Sequence, residues 1–209
     1  GGHPGCLVAA ISYEDRLFDR EIRSIVTELT RNWNAFFRAM LDEIVDLHLR
    51  HAGVSRYEKF RMIHRDILGA PIDEDECERL GEEFSALVLD EVLRCAFVPG
   101  AKALLERRCT ELPLYVASGT PEDELRRIVA ERGIDSCFAG VYGSPATKAQ
   151  ILRQVVSERG ITPAEALFVG DAMTDLEGAR EARVPFVGRV APGEPDPFAG
   201  EDVRIVADL

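Results

Sequence analysis

The sequence predicts an α/β fold: a parallel sheet flanked by helices, interrupted near its start by an inserted all-helical domain. Three observations predict it. From about residue 97 onward, short apolar runs alternate with helical segments, the pattern of βα units whose strands pair in parallel. Residues 20–96 instead keep a three-four apolar spacing with no strand signal. Polar residues stand just after three predicted strands, at 12–16, 118–120 and 171–175, where open α/β sheets place their ligands.

Taken in order, residues 6–11 (CLVAAI) read as a short buried strand and 12–16 as a polar loop. Asp19 then reads as a helix N-cap. Ile22, Ile25, Val26, Leu29, Trp33, Phe36, Phe37, Met40, Ile44 and Leu47 mark one amphipathic helix, or two with a break. Trp33, Phe36 and Phe37 are expected in the core of the inserted domain; a large exposed apolar remainder would suggest a dimer interface, but exposure is not legible in sequence. Gly53 and Ser55 interrupt the pattern. Residues 57–68 form a second helical piece, stopped by Gly69 and Pro71, and 73–95 form a third. Arg56, Lys59, Arg61, His64 and Arg65 are within reach of an anion, but Glu58 and Asp66 beside them favour a solvated, balanced face. The domains are therefore 20–96 for the helical insertion and 1–19 with 97–209 for the α/β core.

In the core, 101–108 is a short helix and 112–117 a strand. Pro121 suits the first turn of a helix running to Arg132, with Gly133 as its cap. A strand follows at 138–142, and a helix at 147–159 closed by Gly160. Residues 166–169 are a strand and 174–182 its helix. Two last strands lie at 185–188 and 203–206, joined by a loop rich in Pro, Gly and Asp.

Composition narrows the function. The net charge of −12 argues against a nucleic-acid surface, though not against an anionic ligand at one site. Five scattered cysteines in odd number, with no metal-ligand spacing, indicate free thiols in a reducing compartment. No signal or membrane-spanning stretch is evident, so the expected location is cytoplasmic with no membrane partner. The chain begins Gly-Gly-His-Pro-Gly without methionine, which is compatible with a piece of a longer protein. Oligomeric state is not legible.

The most informative stretch is Leu167-Phe168-Val169-Gly170-Asp171-Ala172-Met173-Thr174-Asp175. Two carboxylates four positions apart at a strand end repel each other. A hard cation such as Mg²⁺ relieves that repulsion with oxygen ligands. A capping Asp followed by an exposed first-turn Asp would look the same.

Four pieces stand in order: the strand and acidic loop at 6–16, the strand ending at Ser118, Lys148 opening a helix, and the Gly170–Asp175 segment. Together they resemble the haloacid dehalogenase superfamily. The branch is the one with a helical cap inserted after the first strand, which includes phosphoglycolate phosphatases and β-phosphoglucomutases. The resemblance implies a Rossmann-like core. It implies that Ser118, with the Gly119 N–H, binds a phosphoryl oxygen and that Lys148 neutralises phosphate and nucleophile. Asp171 is implied as a direct Mg²⁺ ligand, and Asp175 as the acid that holds the metal's water or the lysine.

The first motif departs from the family's Asp-x-Asp-Gly-Thr-Leu. This chain reads Ser12-Tyr13-Glu14-Asp15-Arg16-Leu17. Ser12 takes the nucleophile's place and Glu14 that of the general acid/base and metal-carbonyl position, while Arg16 adds a cation able to bind an anion. A serine hydroxyl without an activating base is a poor nucleophile, and the metal loses a carboxylate. The expectation is a weakened Mg²⁺ site and a catalytically impaired protein that binds a small phosphorylated ligand or acts in regulation. The alternative is a working Mg²⁺-dependent phosphohydrolase using Glu14 or Asp15 as base in a rearranged site.

Overall fold

The computed structural model describes residues 20–208. The strand expected at 6–11, the cap at Asp19 and the candidate residues Ser12, Glu14 and Arg16 therefore lie outside the described residues. The apolar spacing after residue 20 produces one unbroken helix, α1 (Arg20–Arg50). The chain parts between Asp46 and Leu47 into two compact units, and the described portion of the first is the greater part of α1.

Within that unit, Trp33, Phe36 and Phe37 are 58, 61 and 45 % exposed, which corrects the expectation that they fill a core. Helical periodicity shows that a face is apolar; it does not show which element covers it. The rings pack on one another instead. Trp33 and Phe37 have centroids 5.6 Å apart, and Phe36 meets Phe37 edge-on at 5.8 Å.

The second unit begins with helical pieces and ends in the α/β core. Helix α2 (Arg56–Met62) runs into a π-helical turn, Ile63–Ile67, and stops at Gly69. Helix α3 (Glu74–Arg94) starts where the Asp73 carboxylate accepts the Glu76 N–H at 2.8 Å. Helices α2 and α3 pack on each other, with Phe60 edge-on to Phe84 at 6.3 Å. Two of the basic residues here are matched by neighbouring acids: Arg61 with Glu58 and Glu74, Arg65 with Asp66. Cys77 is fully buried, and burial pushes its thiol above the usual range.

The core elements follow as α4 (Ala101–Arg108), β1 (Leu114–Pro121), α5 (Glu122–Glu131), β2 (Phe138–Ser144), α6 (Lys148–Arg159), β3 (Phe168–Gly170), α7 (Met173–Ala182), β4 (Phe186–Arg189) and β5 (Arg204–Val206). All pairings are parallel. Strand β1 pairs with β2, and β4 lies between β3 and β5. Among the described residues the predicted single sheet is thus two parallel ladders. Leu125 and Val129 of α5 bury against Val141, with Val116, Ile134 and Phe138 around them. Each such aliphatic side chain contributes about 1.5–3 kcal/mol on burial.

Strand β1 continues through Ser118, Gly119 and Thr120 to Pro121 and does not stop at residue 117. Proline tolerates this terminal strand position because no ladder donor is required there. Helix α5 consequently starts at Glu122, with Pro121 as its cap position, one residue later than expected.

Candidate functional site

Local chemistry fixes the first functional residue. Thr147 caps α6 reciprocally with Gln150: the Thr147 N–H donates to Gln150 Oε1 at 2.8 Å and the Gln150 N–H to Thr147 Oγ1 at 3.3 Å. Lys148 is therefore the first residue of the helix. Its ammonium forms an ion pair with Asp175 at the start of α7 and lies 3.4 Å from Thr174 Oγ1. Gly178 permits this approach, since a Cβ there would sit 2.9 Å from Lys148 Cβ.

Asp175 is 4 % exposed and the only buried charged residue among those described. Its Oδ2 accepts the N–H groups of Asp171 at 3.2 Å and Ala172 at 3.0 Å, while Oδ1 faces Lys148. A buried carboxylate is tolerable only when so satisfied. Of the two roles foreseen for it, holding the lysine is the one displayed. Asp171, one turn earlier, is exposed, and its carboxylate has no partner among the described residues.

Gly170 makes room for this arrangement, because a Cβ at that position would strike the Asp175 carboxyl group. Gly170→Ala is expected to displace Asp175 from Lys148 and cost about 1–3 kcal/mol. Urea denaturation checks it; an unchanged midpoint would mean the carboxylate moves without penalty.

Ser118 sits half-buried near the end of β1. Its Oγ accepts the Thr120 N–H and donates to Thr120 Oγ1, both at 3.1 Å. Ser118, Gly119, Lys148 and Thr174 line one broad open cleft.

Two sets of contacts were not foreseen. The first is the turn at residues 51–55. Thr174 Oγ1 donates to the Ala52 carbonyl at 3.2 Å. Gly53 has φ +77°, and a Cβ there would lie 2.8 Å from Lys148 Nζ; a Cβ on Gly119 would lie 2.8 Å from the Gly53 carbonyl. The turn thus rests on the lysine, the threonine and the end of β1. In the sequence, Gly53 signals only a helix break. The second is Arg56, which pairs with Glu124 of α5 at 2.8 Å, both largely buried. Ser85 Oγ donates to the same carboxylate at 2.6 Å, and Arg56 stacks on Phe84 at 4.8 Å. This cluster anchors the residue after the turn to α3 and α5.

Parallel strands flanked by helices, with polar residues gathered beyond their carboxyl ends, define a Rossmann-like α/β protein. The chain belongs to the haloacid dehalogenase-like hydrolase family, whose sequence profile matches residues 10–183. No curated protein sequence matches it. A hydrolase from Pseudomonas syringae is similar in structure (TM-score 0.65, 21 % identity, 81 % of this chain and 85 % of that one). So are β-phosphoglucomutase from Clostridium difficile (TM-score 0.63, 15 % identity, 82 and 81 %) and a predicted phosphoglycolate phosphatase from Haemophilus somnus (TM-score 0.60, 18 % identity, 80 and 83 %). These likenesses concern the fold.

Proposed function

We propose that this protein binds a small phosphate ester in the cleft and has given up the family's hydrolytic step, acting as a binding or regulatory module with residues 20–96 as its cap. The observation that carries the reading is Lys148. Asp175 and Thr174 hold its ammonium in place at the cleft, close to the turn that also meets Gly119. A fixed cation where phosphate charge gathers favours an anion without further reorganisation. Ser118 and the Gly119 N–H supply hydrogen-bond donors for phosphoryl oxygens, and Arg16 a further cation. The first motif supplies the other half of the argument, since Ser12 replaces a carboxylate nucleophile.

The described residues by themselves make a poor site for Mg²⁺. The cation prefers octahedral oxygen coordination. Among the described residues, no group of three or more metal-binding side chains comes together, and both Asp175 oxygens are engaged by protein donors. Asp171 is left as the one carboxylate of the 171–175 segment able to face a metal directly. Any site it makes with Glu14 is a weak one.

One observation favours the competing reading, an active Mg²⁺-dependent phosphohydrolase working through Glu14 or Asp15: the Asp171 carboxylate is exposed at the strand end and has no partner among the described residues. Calorimetric titration with inorganic phosphate, beside phosphate release from a panel of small esters with and without Mg²⁺, separates the two. Binding without release is expected. Mg²⁺-dependent release that disappears in Asp171→Asn would establish the active enzyme instead.

A further inference from the structure

We propose that Cys109 and Cys137 form a thiol–disulfide site, which a low-molecular-weight disulfide oxidises to a bridge within the chain. The two thiols are in contact although they belong to different elements: Cys137 is hydrogen-bonded to Cys109, and Cys109 in turn donates to the Glu106 carbonyl at 3.8 Å. Both are free and half-buried, so a small disulfide can reach them. The other described cysteines differ. Cys77 is buried and bonds the Tyr57 carbonyl at 3.7 Å, and Cys95 is exposed and bonds the Val92 carbonyl at 3.1 Å.

The backbone holds the pair together. Cys109 stands at the end of α4, its N–H bonded to the Leu105 carbonyl at 2.9 Å. A tight turn follows, in which the Glu111 and Leu112 N–H groups both meet the Arg108 carbonyl at 2.9 Å, and β1 starts at Leu114. Cys137 closes a 3-10 turn, Asp135–Cys137, with its N–H on the Ile134 carbonyl at 3.1 Å, and β2 starts at the next residue. Leu114 and Phe138 are register partners in the parallel ladder, where neighbouring strands lie about 4.8 Å apart. Both cysteines therefore enter the ladder from the same edge, each fixed by a turn, and the bond closes by side-chain rotation.

The chemistry is thiol–disulfide exchange. One cysteine, as thiolate, attacks a sulfur of the small disulfide; that S–S bond breaks, one small thiol leaves and a mixed disulfide remains. The second cysteine attacks the protein sulfur of the mixed disulfide and releases the second small thiol. The two protein thiols lose two electrons and two protons, and the external disulfide gains them. The hydrogen bond to Cys109, then burial, then the charges of Cys109, Glu106 and Asp135 push the Cys137 thiol above its ordinary range. A thiol that ionises reluctantly is a poor leaving group, so the bridge is retained once formed. That suits a staple better than a turnover centre. The pair stands at the amino ends of β1 and β2, whereas Ser118 and Lys148 lie toward or beyond their carboxyl ends.

The test incubates the full chain with oxidised glutathione, then titrates its thiols after unfolding and maps peptides by mass spectrometry. Two of the five cysteines are expected to be lost to titration, and the map should show a bridge between Cys109 and Cys137 within one chain. The urea midpoint should rise on oxidation, because the bridge restricts the unfolded chain. In Cys109→Ser and Cys137→Ser the remaining partner should carry a glutathione adduct, with no rise in the midpoint. Both thiols persisting under excess oxidised glutathione, adducts on both without a bridge, or a bridge from either one to another cysteine overturns the proposal. A 109–137 bridge that lowers the midpoint overturns it as well.

Discussion

Lys148→Ala is expected to abolish phosphate binding and to lower folding stability by about 2–3 kcal/mol. The two losses share one cause. Lys148 is the cation facing Asp175, a carboxylate only 4 % exposed. Removing one member of a buried pair leaves the other charge uncompensated, at about 3–5 kcal/mol. Asp175 keeps its two backbone donors, the N–H groups of Asp171 and Ala172, which brings the effect to the bottom of that range or just below it. The double variant Lys148→Ala/Asp175→Asn tests the assignment. With the carboxylate neutralised, much of the stability returns, so the two substitutions combine non-additively. Phosphate binding does not return, because the cation is still missing. Urea midpoints and phosphate calorimetry on the three variants check both statements. A full stability loss in Lys148→Ala that the second substitution fails to relieve would show that the lysine's aliphatic stem, packed beside Gly178, matters more than its charge.

That pair also shows what the sequence makes legible. Thr147, Gln150 and Gly160 carry the bounds of α6 within fourteen residues, through a reciprocal cap and a left-handed stop at φ +64°. Lys148 at the helix start follows from them directly. Asp175 is readable as a carboxylate beside a turn, and the order of the strands as alternation of apolar runs. What is not readable depends on distant partners. Strand β1 outlasts its apolar run because Pro121 reaches Ser144 of β2, a contact no local pattern encodes. The turn at Gly53 meets Thr174, over one hundred residues away, through a carbonyl, and main-chain acceptors leave no residue-type signature. Arg56 reads as one cation in a balanced basic stretch, yet its carboxylate, Glu124, comes from the other side of β1. The exposed rings of α1 fail for the same reason: amphipathicity names a face and leaves its cover open.

On the proposed reading, the combined substitution Ser12→Asp/Glu14→Asp is expected to give the protein Mg²⁺-dependent phosphatase activity. An aspartate side chain, with an ordinary pKa near 3.9, is ionised at neutral pH and needs no base to attack phosphorus. The serine hydroxyl does need one, and no histidine stands near it in sequence. On the same reading the substitution adds a carboxylate oxygen to complement Asp171, so Mg²⁺ affinity is expected to rise together with nucleophilicity. Glu14→Asp shortens the acid/base residue by one methylene; correctly placed general acid/base groups contribute about 10²–10⁴-fold in rate. Ser12→Asp alone should therefore form an aspartyl phosphate that turns over slowly, visible by mass spectrometry, and the double variant should release phosphate continuously. Activity in both variants is expected to depend on Lys148, the cation that the proposed reading sets against the phosphate. Asp15 and Arg16 bound the interpretation, because they too depart from the family's Gly-Thr. If the fourfold variant Ser12→Asp/Glu14→Asp/Asp15→Gly/Arg16→Thr folds and still releases no phosphate from any ester, loss of the first motif is not what silences the chain. The cleft around Ser118 and Lys148 would then have to be incompetent for phosphoryl transfer in its own right.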